Sequence, residues 1–386
     1  MKPAIQRGLA AAVITLFLGV SAQAGEAMRA AVDAVVQPLM AKHGVPGLSV
    51  AILADGERHV FHYGVESRQT GEKVDDRTLF EIGSLSKPFT GTLLARLEAE
   101  GAVDLSSKAE ALMPALAGSP IGGVSLLDLN TYVAGGLPLQ FPDGVDETNA
   151  EEFFRTFKPN QAIGQSRLYS NASIGLSGHL AAKAAGASFP VLMAEKIFEP
   201  MGLADTFLAV PESRRGDYAQ GYTRDNAAVR VNPGLFDDEA YGIKTTASDF
   251  LRFVEASIDP AGLGGDLQAA LGKARTGVYR VKAMHQGLGW ELYAAPARLD
   301  DLNQGADPAF VLEANPVDRP AAPVTGNAVG TVSKTGSTGG FGAYALFQPA
   351  RGTAIVILAN RFWPNPARIE AAAAILKAID PEFLAQ

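Results

Sequence analysis

Strand-like segments occur at both ends of this 386-residue chain, with a helical stretch between them. Near the N-terminus, Leu48–Leu53 and His59–Tyr63 are joined by an Asp55-Gly56 turn, a pattern that predicts a hairpin. Three short β-rich segments near the C-terminus are separated by Gly or Pro: Gly330–Ser333, Gly342–Phe347 and Ala354–Leu358. Because tight turns favour antiparallel neighbours, we expect the two ends of the chain to share one antiparallel sheet.

Apolar residues recur at helical spacing outside these strands. The predicted helices are Glu26–His43, a segment from Ser84 to Gly101, Leu126–Tyr132, Ala150–Phe157, Ser173–Ala184 and Pro366–Ile379. We therefore predict an α+β fold, an antiparallel β-sheet flanked by N- and C-terminal helices with an inserted, mainly helical lobe. The sheet body would comprise residues 25–83 and 188–386, the lobe residues 84–187, and the active site the cleft between them. The Pro- and Ala-rich stretch Asp300–Thr325 is expected to be a long surface loop.

The first 24 residues have the pattern of an export signal. Lys2 and Arg7 form a positive head, Gly8–Val20 is an apolar run, and Ala22-Gln23-Ala24 supplies small residues for a signal peptidase. The apolar run is too short to span a bilayer core of about 30 Å as a helix. We expect cleavage after Ala24 and a periplasmic protein.

Composition excludes several classes of protein. Loss of the leader removes two basic residues and no acid, so the formal charge moves from −8 to −10. An acidic chain without a basic stripe is a poor binder of nucleic acid. The chain has no cysteine, so its hydrophobic core must stabilise it without disulfides, which its length allows. No other segment is apolar enough to span a membrane, and a monomer is the default expectation.

Ser84-Leu85-Ser86-Lys87 is a Ser-x-x-Lys motif at a predicted helix start. Residues three apart share one face of a helix, so the amine of Lys87 can lie against the hydroxyl of Ser84. A serine nucleophile needs such a base within hydrogen-bond reach, and burial can lower the pKa of a lysine enough to serve. Alone the motif is weak, since a chain this long holds about one by accident. A helix-capping serine followed by a solvated lysine would look the same.

Two further motifs strengthen this interpretation. Tyr169-Ser170-Asn171 precedes the helix predicted over Ser173–Ala184, and Lys334-Thr335-Gly336 ends a predicted strand. Ser-x-x-Lys, Ser-Asp-Asn and Lys-Thr-Gly together mark class A β-lactamases and penicillin-binding proteins. Here tyrosine replaces the first serine of the middle motif. Each pattern alone could be a turn or a cap, but all three in this order are hard to reach by chance.

On these residues the chain resembles class C β-lactamases, the cephalosporinases of the β-lactamase and penicillin-binding-protein superfamily, over nearly the whole mature sequence. The tyrosine-type middle motif, together with the neighbouring segments given next, is specific to that class. The resembling segments are GSLSK from Gly83, TYVAGGLPLQ from Thr131, RLYSNASIG from Arg167, EAYGIKT from Glu239, GLGWE from Gly287, VSKTGSTGGFGAY from Val332 and LANRFWPNPAR from Leu358.

The resemblance implies hydrolysis of β-lactam antibiotics, with cephalosporins preferred, through an acyl-enzyme on Ser84. Lys87 and Tyr169 would share the proton transfers, and which of the two is the base stays open. Lys334 would be catalytic too, and the backbone N–H groups of Ser84 and Ser337 would form the oxyanion hole. The substrate-binding residues implied are Gln140, Asn171, Tyr241, Thr335, Gly336, Asn365 and Arg368. For Asn365 and Arg368 a helix-start cap and a solvated charge are the alternatives.

Some features depart from the class C pattern. Ser333 stands before Lys334, Gly330-Thr331 replaces a bulkier aromatic, and Ile163-Gly164-Gln165 lacks an expected proline. These differences bear on which side chains of a substrate fit. The five histidines show no metal-ligand spacing, so neither a metal nor another cofactor is expected.

Two other functions stay open. A D-alanyl-D-alanine peptidase or an esterase could use the same scaffold, although a peptidase would deacylate slowly. A non-catalytic penicillin-binding sensor would need a membrane anchor or a partner-recognition segment, and the sequence shows neither.

Overall fold

The computed structural model describes residues 6–325 and 330–385, with side chains from residue 25 onward. The predicted leader, residues 1–24, therefore lies outside the described side chains. The thirteen α-helices of the described part are α1 Gln6–His43, α2 Lys87–Ala99, α3 Ala109–Leu112, α4 Leu126–Asn130, α5 Ala150–Thr156, α6 Asn171–Ala184, α7 Phe189–Met193, α8 Asp237–Ala240, α9 Ala247–Ile258, α10 Gly265–Ala274, α11 Leu299–Gly305, α12 Pro308–Leu312 and α13 Asn365–Ile379.

Fifteen strands, several of only two residues, complete the described architecture. They are β1 Gly47–Ala54, β2 Glu57–Gly64, β3 Phe80–Glu81, β4 Ser166–Arg167, β5 Thr206–Phe207, β6 Gly221–Tyr222, β7 Ala228–Val229, β8 Lys244–Thr245, β9 Tyr279–Val281, β10 Met284–Gln286, β11 Glu291–Tyr293, β12 Asn315–Pro316, β13 Thr331–Ser337, β14 Gly342–Gln348 and β15 Thr353–Ala359.

Eight strands form one sheet in the order β2-β1-β15-β14-β13-β11-β10-β9, and every neighbouring pair is antiparallel. The hairpin β1–β2 turns at Asp55 and Gly56, whose φ values of 52° and 77° suit a two-residue turn matched to the twist of the strands. N-terminal β1 pairs with C-terminal β15, so strands from the two ends of the chain are neighbours in one sheet. The predicted antiparallel sheet is confirmed.

Each face of this sheet has its own apolar layer, because successive side chains of a strand point to opposite faces. Val50 and Ile52 of β1 pack with α1 and α13, whereas Ala51 and Leu53 pack with the cluster that includes Phe250 of α9. The predicted helix Glu26–His43 lies within the longer α1, and α13 begins one residue before its predicted start. Helices therefore flank the sheet, and the predicted α+β class is confirmed.

The middle of the chain is mainly helical. Between residues 84 and 187 the described regular segments are helices, apart from the two-residue strand β4. Helix α2 is buried almost all round, and its Phe89 stacks on Phe253 of α9 with ring centroids 3.7 Å apart. Among the described residues, no helix has an apolar stretch long enough to cross a bilayer.

The prediction of a long surface loop over Asp300–Thr325 was wrong. This stretch contains most of α11, all of α12, and β12, which pairs with β4. Asp307 caps α12 by accepting the Ala309 N–H at 2.8 Å, and Pro308 occupies the first helical position. Asp before Pro is a helix-start signal, which the Pro-rich composition concealed.

Candidate active site

Ser84 lies in a single 3₁₀ turn, Gly83–Ser86, directly before α2. Two glycines allow this turn to lie directly against strand β13. A Cβ on Gly83 would come within 2.4 Å of the Ser337 carbonyl oxygen, and a Cβ on Gly336 within 1.9 Å of the Ile82 carbonyl oxygen. Only glycine permits backbones to approach this closely. The end of β13 is therefore held beside Ser84.

Lys87 is fully buried beside Ser84 and is the first residue of α2. Its Nζ donates to Ser84 Oγ at 3.0 Å and to the carbonyl oxygen of Ala240 at 2.8 Å. Burial lowers the pKa of Lys87, because an apolar environment disfavours the ammonium. The predicted Ser84–Lys87 contact is present.

Tyr169 is held just before α6, where Ser170 caps the helix by accepting the Ser173 N–H at 2.9 Å. Its ring centroid lies 5.0 Å from Lys87 Nζ and 4.9 Å from Lys334 Nζ. Burial alone would raise the pKa of Tyr169, but the charges of Lys334 and Lys87 outweigh it and lower the pKa below its usual value.

Lys334 differs from Lys87 because it is paired with an acid. Its Nζ lies 2.8 Å from Glu291 Oε1, and both side chains are about 95% buried. Burial acts to lower the pKa of Lys334, but the Glu291 carboxylate raises it above its usual value. Arg167 is also buried, with Nη2 3.9 Å from Glu291 and its guanidinium 5.4 Å from the centroid of the Tyr169 ring.

Of these groups, Ser84, Tyr169 and Lys334 border a cleft of about 390 Å³. The predicted site residues that line it are Ser84, Gln140, Tyr169, Asn171, Tyr241, Lys334, Thr335, Gly336, Ser337 and Asn365. Further lining comes from Leu139, Val231, Asn232, Val311, Thr338 and Gly339. Residues that are far apart in the sequence, from Ser84 to Asn365, therefore meet in one crevice.

Arg368 lies behind the wall of this cleft. It is fully buried, and its Nη1 donates to the Gly336 carbonyl oxygen at 2.7 Å and to Ser337 Oγ at 2.8 Å. The same guanidinium donates to the carbonyl oxygens of Ala343 and Trp363. The solvated charge considered as an alternative is excluded, and Arg368 contacts the strand that forms the wall.

The sequence profile of the beta-lactamase family matches residues 32–380. The chain belongs to the beta-lactamase family. A beta-lactamase of Pseudomonas fluorescens is 46% identical over 354 residues, which cover 92% of this chain and 99% of that protein. A beta-lactamase of Escherichia coli K12 is 39% identical over 350 residues, covering 90% and 93%, respectively. One of Psychrobacter immobilis is 37% identical over 385 residues, covering 98% and 95%.

The resemblance to serine β-lactamases is thus confirmed at the level of the family. Two buried charged residues beside Lys334 and Tyr169 were not singled out by sequence analysis, Glu291 and Arg167. Each stands in a mainly apolar or uncharged segment, Gly287–Tyr293 and Arg167–Gly175, and an isolated charge in such a segment is a signal for a buried ion pair. Within the described residues, no cluster of three or more His, Asp or Glu side chains is arranged to hold a metal ion.

Proposed function

We propose that this protein is an exported class C serine β-lactamase, with cephalosporins as preferred substrates and Ser84 as the nucleophile. The proposal rests chiefly on one observation. The Ser84 hydroxyl is 3.0 Å from the buried Lys87 amine, at the wall of a cleft that also receives Tyr169 and Lys334. A nucleophile, a base and a fixed positive charge in one pocket are the parts required for acyl transfer.

Acylation begins when Ser84 Oγ attacks the lactam carbonyl carbon. The hydroxyl proton passes to the Lys87–Tyr169 pair, whose pKa values are both lowered. The C–N bond of the ring then breaks, and the ring nitrogen takes a proton from the same pair. Since the two groups interact strongly, the proton belongs to the pair rather than to one residue.

The negative charge on the carbonyl oxygen needs donors. We assign this role to the backbone N–H groups of Ser84 and Ser337, which lie on the turn and the strand that Gly83 and Gly336 hold together. One such donor contributes typically about 10²–10³ in rate. Water then attacks the acyl carbon, the pair accepts a proton from it, and Ser84 leaves with its hydroxyl restored.

Substrate recognition follows from the lining of the cleft. Lys334 and Thr335 would meet the substrate carboxylate, with Asn365 nearby. Gln140 and Asn171 offer amides to the acylamino side chain, and Tyr241 offers an aromatic face. Arg368 would act indirectly, by fixing the Gly336 carbonyl and the Ser337 hydroxyl.

Two features support the finer assignment. The Tyr169-Ser170-Asn171 motif is of the class C type, and the tyrosine it supplies lies between two lysines. The leader pattern of residues 1–24 supports export to the periplasm. Mass spectrometry of the periplasmic protein should find a chain that starts at Gly25, and a chain retaining residues 1–24 would contradict export.

Replacing Ser84 with alanine tests the central claim. Ser84→Ala should abolish nitrocefin turnover and the acyl-enzyme mass adduct seen with the unaltered protein, because the attacking oxygen is gone. Ser106→Ala, at an exposed serine, is the matched control and should keep both. Retention of turnover by Ser84→Ala would refute the proposal.

Steady-state rates then separate the related functions. A class C β-lactamase should turn over a cephalosporin many times and faster than a penicillin. Stoichiometric trapping of the cephalosporin, with cleavage of a D-alanyl-D-alanine peptide, would identify a peptidase. Hydrolysis confined to a p-nitrophenyl ester would identify an esterase.

A further inference from the structure

A second cavity of about 440 Å³ lies between α5, α6 and the segment around α8. It shares no lining residue with the cleft at Ser84. Its walls are partly apolar and partly acidic. The lining residues include Met113, Ala150, Phe154, Leu176, Phe236 and Glu239.

Glu239 is the unusual member of this lining. The residue is 94% buried, yet among the described residues no side chain donates a hydrogen bond to its carboxylate or forms an ion pair with it. The other buried acids of the sheet and lobe do have partners: Glu291 pairs with Lys334, and Glu81 accepts from the Val231 N–H. Burial without a cationic partner disfavours the ionised form of a carboxylate, and a cationic ligand offsets this effect.

The side chain of Glu239 packs directly against α6 at Gly178. A Cβ on Gly178 would lie 2.7 Å from Glu239 Cγ, so no larger residue fits there. One turn earlier, a Cβ on Gly175 would lie 2.5 Å from Phe236 Cβ. Two glycines three apart on α6 therefore admit one acid and one aromatic ring to the same space.

Aromatic rings form the side of the cavity next to this acid. Phe236 stacks on His179 with centroids 5.0 Å apart and lies nearly parallel to Phe154 at 6.1 Å. Aromatic faces attract cations as well as apolar groups. The charged groups on the elements that face Glu239 are Asp237, Asp238, Glu147, Glu151, His179 and Lys183, with acids in the majority.

We propose that this cavity binds an organic ammonium ion with an aromatic or aliphatic body, whose N–H groups donate to the Glu239 carboxylate. The ammonium supplies the missing positive partner, and the body fills the space between Phe154, Phe236 and Leu176. A divalent metal ion fits less well, since it requires several oxygen ligands converging on one point, and the described residues offer no such group.

Protonation gives this site a recognisable pH dependence. Burial raises the pKa of Glu239 to about 8, so at lower pH the free cavity holds a neutral acid. An ammonium ligand binds the ionised form. Its affinity should therefore rise as the pH passes upward through 8, and binding below that pH should release a proton.

The probe is 2-phenylethylamine, compared with the uncharged 2-phenylethanol of similar shape, by isothermal titration on the full chain. At pH 8.5 the amine should bind at least about tenfold more tightly than the alcohol, the effect expected of one charge-assisted hydrogen bond. Glu239→Gln should bring this ratio close to one and remove its pH dependence. Glu199→Gln, at an exposed glutamate outside the cavity, is the matched control and should leave the ratio unchanged.

A second variant keeps the test informative if Glu239→Gln does not fold. Ala150→Leu fills the cavity from α5 without changing any charge and should weaken both probes. Equal affinity of the amine and the alcohol would overturn the proposal. So would an amine affinity that Glu239→Gln and Ala150→Leu both leave unchanged, because the amine would then bind elsewhere.

Discussion

Replacing Lys334 with methionine removes a positive charge from the cleft and should lower the activity by an amount that depends on pH. The Lys334 ammonium lies 4.9 Å from the centroid of the Tyr169 ring. At an effective dielectric constant of about 20, two unit charges at this distance interact by about 3 kcal/mol. Removing the ammonium therefore disfavours the deprotonated state of the Lys87–Tyr169 pair by about that amount.

The sign follows from the direction of the pKa changes. Lys334 acts to lower the pKa values of both Tyr169 and Lys87, so its removal raises them and moves the acidic limb of kcat/KM to higher pH. An energy of about 3 kcal/mol corresponds to roughly a 100-fold loss of rate near neutral pH. The loss should shrink steadily as the pH is raised towards 10.

The assay is the pH profile of kcat/KM for a cephalosporin, with thermal unfolding to check that each variant is folded. The substitution also removes a contact with the substrate carboxylate. That loss lowers kcat/KM equally at every pH, so it can be distinguished from the effect on the pKa values of the Lys87–Tyr169 pair. Lys334→Arg keeps the charge and should keep the position of the acidic limb. A deficit of the same size at pH 6 and pH 9.5 would refute this reasoning, because Lys334 would then act on the substrate alone.

Two further substitutions test how the cleft wall is held. Arg368→Lys keeps the charge but cannot reach all four acceptors of the guanidinium, so urea unfolding should show a loss of about 2–4 kcal/mol; a loss below about 0.5 kcal/mol would contradict this role. Gly336→Ala places a methyl group where the Ile82 carbonyl lies and should lower kcat/KM by about 100-fold. Gly216→Ala, which has open space around it, is the control, and equal rates for the two variants would show that the close approach is unimportant.

Elements with local signals could be predicted from the sequence. The Asp55-Gly56 turn specified the hairpin, and the spacing of Ser84 and Lys87 predicted a contact that the structure gives as 3.0 Å. The Pro- and Ala-rich composition of Asp300–Thr325 predicts a loop, but Asp307-Pro308 within it starts a helix. In each case a few neighbouring residues carried the structural signal, and the loop prediction failed because it left out the signal at Asp307-Pro308.

Long-range pairing accounts for what could not be predicted. Glu291 reaches Lys334 because β11 lies beside β13, with Glu291 opposite Ser333. No pattern within either segment states that these two strands are neighbours. Arg368 was expected near the substrate, but α13 packs against the sheet and brings its guanidinium to the back of β13 instead. Such positions depend on the order of strands, which only the folded chain supplies.

The same strand order explains why two buried lysines in one site have opposite pKa changes. Lys87 contacts a hydroxyl and a carbonyl oxygen, and the first turn of α2 carries no acid, so burial prevails and lowers its pKa. Lys334 has Glu291 at 2.8 Å, which outweighs burial and raises its pKa. Environments that separate the pKa values of like groups assign them different tasks. Under the proposed mechanism Lys87 exchanges a proton with Ser84 and Tyr169, while Lys334 keeps its charge throughout and stabilises the anions around it.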